Sequence, residues 1–201
     1  MNNAVQEHRL DEQSLTYIKD TLMSHVQQSY APGSTTADTS HIQNKLMQTM
    51  TYLFVALYPS SWQSFFDDFR ALAGDQASIG SVNTTTTFLY LRMLGQVHDE
   101  IADQLVARSE DEKKRNTDLK DLIRQRDVQK ISLSWQEILA KWRESDLNLV
   151  EMCLRTIGRW VSWIDINLVV NQAMITTFLE MAGQQGISDP ESAAGRVRDA
   201  L

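Results

Sequence analysis

Apolar positions along this chain recur at steps of three and four residues, the period at which side chains share one face of an α-helix. Leu15, Ile18, Leu22 and Val26 form a first stripe, with Asp11 placed to cap it. The run "APGSTTADTS" interrupts the pattern, and Ser40 opens a second helix whose face is Ile42, Leu46, Met50, Leu53, Phe54 and Leu57. Pro59-Ser60-Ser61 then turns the chain into Trp62, Phe65, Phe66, Phe69 and Leu72, stopped by Gly74. Beyond a polar loop over 75–82, the threonine run 84–87 starts a helix. Leu89, Met93, Val97, Ile101 and Leu105 follow in it at steps of four.

The second half continues in the same way. Ser109-Glu110-Asp111-Glu112 fits a capping box and opens a long charged helical region, broken or bent near Asp127. Its later part carries Ile131, Trp135, Ile138, Leu139 and Trp142. Next come Leu147, Val150, Leu154, Ile157, Trp160 and Val161, then Ile166, Val169, Val170, Ala173, Phe178 and Met181. Gly183 and Gly186 close that helix. Ser188-Asp189-Pro190-Glu191 starts another, with Pro190 in the first turn where its missing N–H is no loss.

No segment alternates like a strand between turn signals, so the chain is predicted to be all-α. Helix pairs begin near positions 11, 60, 109, 146 and 189, at spacings of 49, 49, 37 and 43 residues. That rhythm is the one of HEAT or armadillo repeats, with a compact bundle as the alternative that pattern alone allows. The predicted architecture is therefore a HEAT-type helical-repeat solenoid over residues 1–201, stacked antiparallel pairs in a right-handed superhelix. It holds about four pairs and the start of a further repeat. The last helix has no partner after it, as expected for a piece of a longer chain.

The stretch "RWVSWID", 159–165, places two tryptophans three residues apart. Trp160 sits on the stripe of Leu154, Ile157 and Val161, whereas Trp163 is turned toward Met152 and Thr156. One neighbour cannot cover so wide a face; a stacked repeat offers two, so both rings are expected in the core with Trp135. Asp165 is placed to cap the next helix across a tight turn.

Composition narrows the classes. The chain has 201 residues, 8 Gly and 3 Pro. It is 42% hydrophobic and 22% charged, with a net charge of -7 and a pI near 5.1. Net acidity argues against a general nucleic-acid coat but leaves open a local basic patch or a basic protein partner. Cys153, the single cysteine, lies within a helical stripe and predicts a buried thiol in a reducing compartment. Residues 46–66 are uncharged, yet Gln48, Thr49, Thr51 and Pro59-Ser60-Ser61 divide them into two short helices, so membrane insertion is not expected. The opening "MNNAVQEHRLDEQ" lacks the apolar core of a secretory signal.

Catalytic patterns are missing where they would be looked for. "HDEIAD", 98–103, gathers a histidine and three carboxylates, but Ala102 stands where a zinc helix needs its second histidine. A solvated acidic face is the expected outcome. His8, His25 and His41 lie near segment ends without a serine or cysteine nucleophile at a recognisable spacing, and no Gly-rich phosphate loop exists. Asn83-Thr84-Thr85 matches a glycosylation acceptor, but nothing routes the chain through the secretory pathway. The expectation is a protein that is not an enzyme, with no catalytic residues, metal or cofactor. From 108 to 130 the charge differs from the rest: eight Lys or Arg against six Asp or Glu, a net of +2. Lys113, Lys114, Arg115, Lys120, Arg124 and Arg126 could neutralise phosphates; the interleaved acids equally allow ion pairs on a solvated helix.

The phrases "NKLMQTMTYLFVALYPSSWQSFFDDF", "FLYLRMLGQVHDEIAD", "KKRNTDLKDLIRQRDVQKISLSWQEIL" and "RWVSWIDINLVVNQ" occur in order along the chain. Together they resemble the amino-terminal part of the tRNA exportins, a branch of the importin-β (karyopherin) family, with fungal members most similar. The resemblance runs from about Leu15 to Ala200. It implies a HEAT-repeat superhelix that binds GTP-loaded Ran and tRNA together in the nucleus. Such a receptor passes the pore along nuclear pore proteins, unloads after GTP hydrolysis by Ran, and so shuttles between nucleus and cytoplasm. It also implies further repeats before Met1 and most of the superhelix after Leu201. In that family inner-face helices meet Ran and basic residues on the concave surface meet the tRNA backbone. Carried over, the inner helices are the second of each pair, 42–57, 88–105 and 166–181. Arg92, Gln96, Asp99, Asp103, Asn167 and Asn171 are then the candidate Ran contacts, and the six cations between Lys113 and Arg126 the candidate tRNA contacts. A generic HEAT scaffold bridging proteins is the alternative that periodicity alone supports.

Overall fold

The computed structural model describes residues 10–30, 38–73, 84–184 and 192–201. Among these, all regular structure is helical, as the apolar period predicts. The elements are α1 (Glu12–Ser29), α2 (Ser40–Leu57), α3 (Phe65–Ala73), α4 (Thr84–Ile101) and α5 (Glu110–Arg126). They continue with α6 (Val128–Trp142), α7 (Leu147–Trp160), a 3-10 turn (Ile166–Leu168), α8 (Gln172–Gln184) and α9 (Ala193–Ala200).

Local chemistry sets the helix ends. The Asp11 carboxylate accepts the Ser14 N–H at 2.7 Å and starts α1. The capping box forms at α5: Ser109 Oγ accepts the Glu112 N–H at 3.3 Å, and Glu112 Oε2 accepts the Ser109 N–H at 2.8 Å. Asp127 separates α5 from α6, as the sequence anticipates. Buried, it donates its N–H to the Ile123 carbonyl and accepts the Ile131 N–H on its own carbonyl. One residue thus closes one helix and opens the next.

The chain divides into two compact units, Met1–Leu105 and Val106–Leu201. In the first, α1 packs on α2, and α4 packs on both α2 and α3. Its centre is a knot of Phe54, Tyr58, Trp62, Phe65, Phe66 and Phe69, all buried. Neighbouring rings meet at 4.6–5.7 Å, mostly tilted or edge-on, the arrangement the ring quadrupole favours. The knot closes because the N–H groups of Ser60, Ser61 and Trp62 all reach back to the Leu57 carbonyl, ending α2 sharply. The Trp62 indole N–H donates to Asp68 at 2.7 Å, so the ring is buried with its polar edge satisfied.

In the second unit α6 packs against α5, α7 and α8, and α7 packs against α9. Trp135 of α6 and Trp160 of α7 are fully buried and meet edge to face at 5.9 Å. Cys153 is buried beside them, its Sγ 3.9 Å from the Trp135 carbonyl, and burial pushes its thiol pKa up. Arg196 ties α9 to α7, donating to Glu151 at 2.7 Å and to Asn148 at 2.8 Å.

Several expectations need correction. Ile42 is 47% exposed on the first turn of α2, and Leu105 is 94% exposed because α4 ends at Ile101. There the Ala102 and Asp103 N–H groups both turn back to the His98 carbonyl. The helix expected from Ile166 is split: Asp165 caps only the 3-10 turn, through the Asn167 N–H, and Asn171 starts α8 by accepting the Met174 N–H. Trp163 follows the end of α7 and is half-buried, stacked on Trp160 at 4.7 Å rather than sunk in the core. Gly183 lies inside α8 and does not end it. The last described helix is capped by Ser192, which accepts the Gly195 N–H at 3.0 Å. The positions 74–82, 186 and 188–191 lie outside the described residues, as does most of "APGSTTADTS".

Two measurements test this packing. Trp160→Ala is expected to cost roughly 3–5 kcal/mol in urea unfolding, since it empties a closed site against Trp135. Glu151 gives a pH signature. Burial alone would raise its carboxyl, but Arg196 and Arg155 outweigh it and hold the pKa below the usual 4.5. A lowered folded value stabilises above the unfolded pKa, and that share is lost as pH falls through the folded one. Glu151→Gln is therefore expected to flatten the acid side of the melting-temperature profile.

Candidate partner-binding surfaces

The basic stretch forms α5, and its period sorts the charges. Lys113, Thr117, Lys120 and Arg124 recur at i, i+4, i+7 and i+11, so they share one flank, about a quarter turn from the buried Leu119 and Ile123 stripe. Lys113 is 58% exposed and pairs with Glu110 at 2.6 Å. Such a surface pair is weak enough to exchange for a phosphate. Lys114 is exposed and Lys120 half-buried.

The arginines are more committed. Arg124 pairs with Asp121, donates from Nε to the Trp163 carbonyl at 2.8 Å, and lies 5.7 Å over the Trp163 ring. That combination holds the half-buried indole at the end of α7. Arg115 donates twice to Oδ1 of the buried Asn116, at 3.0 and 3.1 Å. Arg126 is half-buried. Of the six cations, Lys113, Lys114 and Arg124 are exposed, and of these Arg124 is the one tied to Trp163.

The six residues carried over as inner-face contacts lie on three different kinds of structure. Arg92, on α4, donates to Gln43 at 3.1 Å and Asn44 at 3.0 Å, bridging to α2. Gln96 and Asp99 are half-exposed on the same helix. Asp103 lies beyond α4 and accepts the Leu105 N–H at 2.9 Å. Asn167 belongs to the 3-10 turn, where it donates to Asp165 at 3.0 Å. Asn171 caps α8 and donates to the Leu168 carbonyl at 2.9 Å. Arg92, Gln96 and Asp99 thus form one surface; Asp103, Asn167 and Asn171 are not part of a helix face.

One constellation escaped the sequence. His25 Nδ1 lies 3.3 Å from Ser29 Oγ, and its Nε2 lies 3.2 Å from Asp38, which also accepts the Tyr30 hydroxyl at 2.9 Å. Burial, with Asp38 adding to it, pushes the Tyr30 pKa up. A serine four residues from a histidine on a helix is a readable signal, but Asp38 comes from the following connection. The cluster staples the end of α1 to Asp38, two residues before α2. Among the described residues no group of His, Cys, Asp and Glu could hold a metal, and no helix is long and apolar enough to cross a membrane.

Stacked helices, exposed polar faces and a cationic flank suit a surface that binds macromolecules. The family described as "Exportin 1-like protein" matches residues 39–194. The chain belongs to this exportin family. With it comes the HEAT-type repeat that the helix spacing predicted, and the packing within each unit is consistent with that repeat. Curated relatives of the chain include the Exportin-T of Phaeosphaeria nodorum, 85% identical over 200 residues and 100% of this chain. The Exportin-T of Neurospora crassa is 47% identical over 99% of the chain, and that of Neosartorya fischeri 46% over 100%. The chain spans 19% of the length of each of these exportins.

The geometry separates binding candidates from structural ones on α5. Arg124→Ala is expected to cost about 1 kcal/mol, because it removes the hydrogen bond to the Trp163 carbonyl and the cation over the ring. Lys114→Ala should stay within about 0.5 kcal/mol of the parent. Paired urea titrations measure both.

Proposed function

We propose that this chain is a segment of a nuclear export receptor for tRNA, a non-catalytic scaffold that binds Ran-GTP and tRNA. The observation that carries this reading is the 85% identity to an Exportin-T across the whole chain. At that level the surface residues, not only the core, are largely retained. The complete receptor would also contact nuclear pore proteins and shuttle between nucleus and cytoplasm.

The roles divide by charge. Arg92, Gln96 and Asp99 on α4 offer a mixed polar face to Ran, and the net charge of -7 suits a basic surface on that partner. Lys113 and Lys114, with Lys120 on the same helix, offer point charges to a phosphate backbone. Arg115 and Arg124 support the fold of α5 first and the ligand second. Phosphate contacts of this kind add affinity and orientation without selecting a sequence.

The test uses a full-length receptor carrying this chain's residues, with Ran in its GTP and GDP states. Ran-GTP and tRNA are expected to bind together, each strengthening the other, while Ran-GDP fails to support tRNA capture. With Ran-GTP saturating, Lys113→Glu with Lys114→Glu should lower the logarithmic salt slope of tRNA binding by about one unit for each phosphate no longer neutralised. The preference among tRNAs should not change. Ran binding without tRNA is measured alongside, because α5 could serve Ran instead. An unaltered slope and affinity would return α5 to a solvated helix with local ion pairs.

A further inference from the structure

The connection 102–109 runs from α4 to α5 across the boundary of the two units and ends in a serine, Ser109, followed directly by Glu110, Asp111 and Glu112. No other serine or threonine of the chain is followed by three acids. Negative charge at successive positions after a hydroxyl is the pattern read by a kinase whose substrate groove is basic. Access matches the pattern. Residues 104–107 and 109–111 are exposed, and none between 109 and 115 is buried. The first turn of α5 can therefore open at the cost of its capping box, without uncovering the core. Ser64 is the contrast: Phe65 and Phe66 separate it from Asp67 and Asp68, and both rings are buried.

The surroundings of the Ser109 hydroxyl already suit an anion. Its Oγ lies 2.9 Å from Glu112 Oε2, and the same oxygen accepts the Ser109 N–H at 2.8 Å. The Ser109 N–H, its hydroxyl, and then the charges of Arg115 and Arg108 hold the Glu112 carboxyl below its ordinary range. Lys113 is one turn on, within i,i+4 reach of residue 109. Its exposed pair with Glu110 is of the kind that exchanges readily.

We propose that Ser109 is a phosphorylation site for an acid-directed serine kinase, and that the phosphoserine draws Lys113 off the cationic flank of α5. The Ser109 oxygen attacks the γ-phosphorus of a nucleoside triphosphate. The new O–P bond forms as the bond to the β-phosphate oxygen breaks, the nucleoside diphosphate leaves, and the hydroxyl proton passes to a base of the kinase. The phosphate displaces the Glu112 carboxylate, keeps the favourable place before the first turn of α5, and takes Lys113 from Glu110. It carries about -1.5 to -2 charges. Residues 108–130 carry a net of +2, so their excess of positive charge is cancelled. The regulation rests on reading α5 as a surface for tRNA phosphates; the modification does not.

The test starts with the 201-residue chain, an acidophilic casein kinase and a nucleoside triphosphate labelled at its γ-phosphate. A single phosphate is expected, mapped to Ser109 by peptide mass, with none taken up by Ser109→Ala. Glu110→Gln with Asp111→Asn should slow labelling severalfold while leaving the capping box of Ser109 and Glu112 intact. Phosphorus NMR then follows the second ionisation of the phosphate, and Lys113→Gln should raise its midpoint, because a nearby cation favours the dianion. In a full-length receptor carrying this chain's residues, with Ran-GTP saturating, phosphorylation should lower the logarithmic salt slope of tRNA binding by about one unit. The Lys113→Gln receptor should show no such change. Absent labelling, labelling at another residue, or an equal rate without the two acids overturns the site. An unmoved midpoint overturns the capture of Lys113, and an unmoved slope in a receptor that binds tRNA overturns the regulation. A receptor that binds no tRNA in either form refutes the export reading instead, while labelling and titration of the short chain still decide the modification.

Discussion

A helix whose apolar arc is wider than one neighbour can cover must be shared, and that constraint shapes both units. Helix α6 is the clearest case. It buries Ile131, Trp135, Ile138 and Leu139 along with Ser132 and Ser134, more than any single partner could shield. It therefore touches α5, α7 and α8 at once. Its buried hydroxyls do not oppose this, because Ser134 bonds the Ile131 carbonyl and Ser132 the Leu168 carbonyl. The second of these pins the turn that delivers α8. In the first unit α4 plays the corresponding part between α2 and α3.

The same constraint decides what is left for partners. Once the wide arcs are used in stacking, α4 and α5 keep polar and charged side chains on their remaining faces. Several of the candidate side chains also support the fold. Arg92 bridges two helices, Arg124 holds Trp163, and Asn171 starts α8. Changing any of them would disturb the fold itself. Lys113 and Lys114 are separable from the fold because their long stems reach water from an exposed flank.

Much of the fold was legible in the sequence wherever a periodic stripe coincided with a local stop signal. Asp11, Ser109, Asp127 and the Pro59 turn were such places, since capping is a matter of a few neighbouring residues. Where the stripe continued but the backbone did not, periodicity misled. Leu105 keeps the four-residue step of α4 although the helix has ended, and Ile166 keeps that of α8 before it has begun. Nothing in an apolar period reports that Asn171 will claim the cap. The candidate surfaces were less legible still. A count of charges over 108–130 finds the basic stretch, but which cations are committed depends on Trp163 and Asn116. Trp163 comes from distant chain, and the neighbouring Asn116 from a burial that no count reveals. The contacts assigned to Ran came from resemblance, and three of the six fall in turns.

Cys153 gives the second unit a built-in clock. The chain has one cysteine. Its sulfur is fully buried beneath Trp135 and its pKa is raised, so the reactive thiolate is doubly suppressed in the folded protein. A thiol reagent can act only after α6 and α7 separate. The rate at which the chain acquires that label therefore times the opening of a single interface, and the first unit, having no thiol, contributes nothing to the signal.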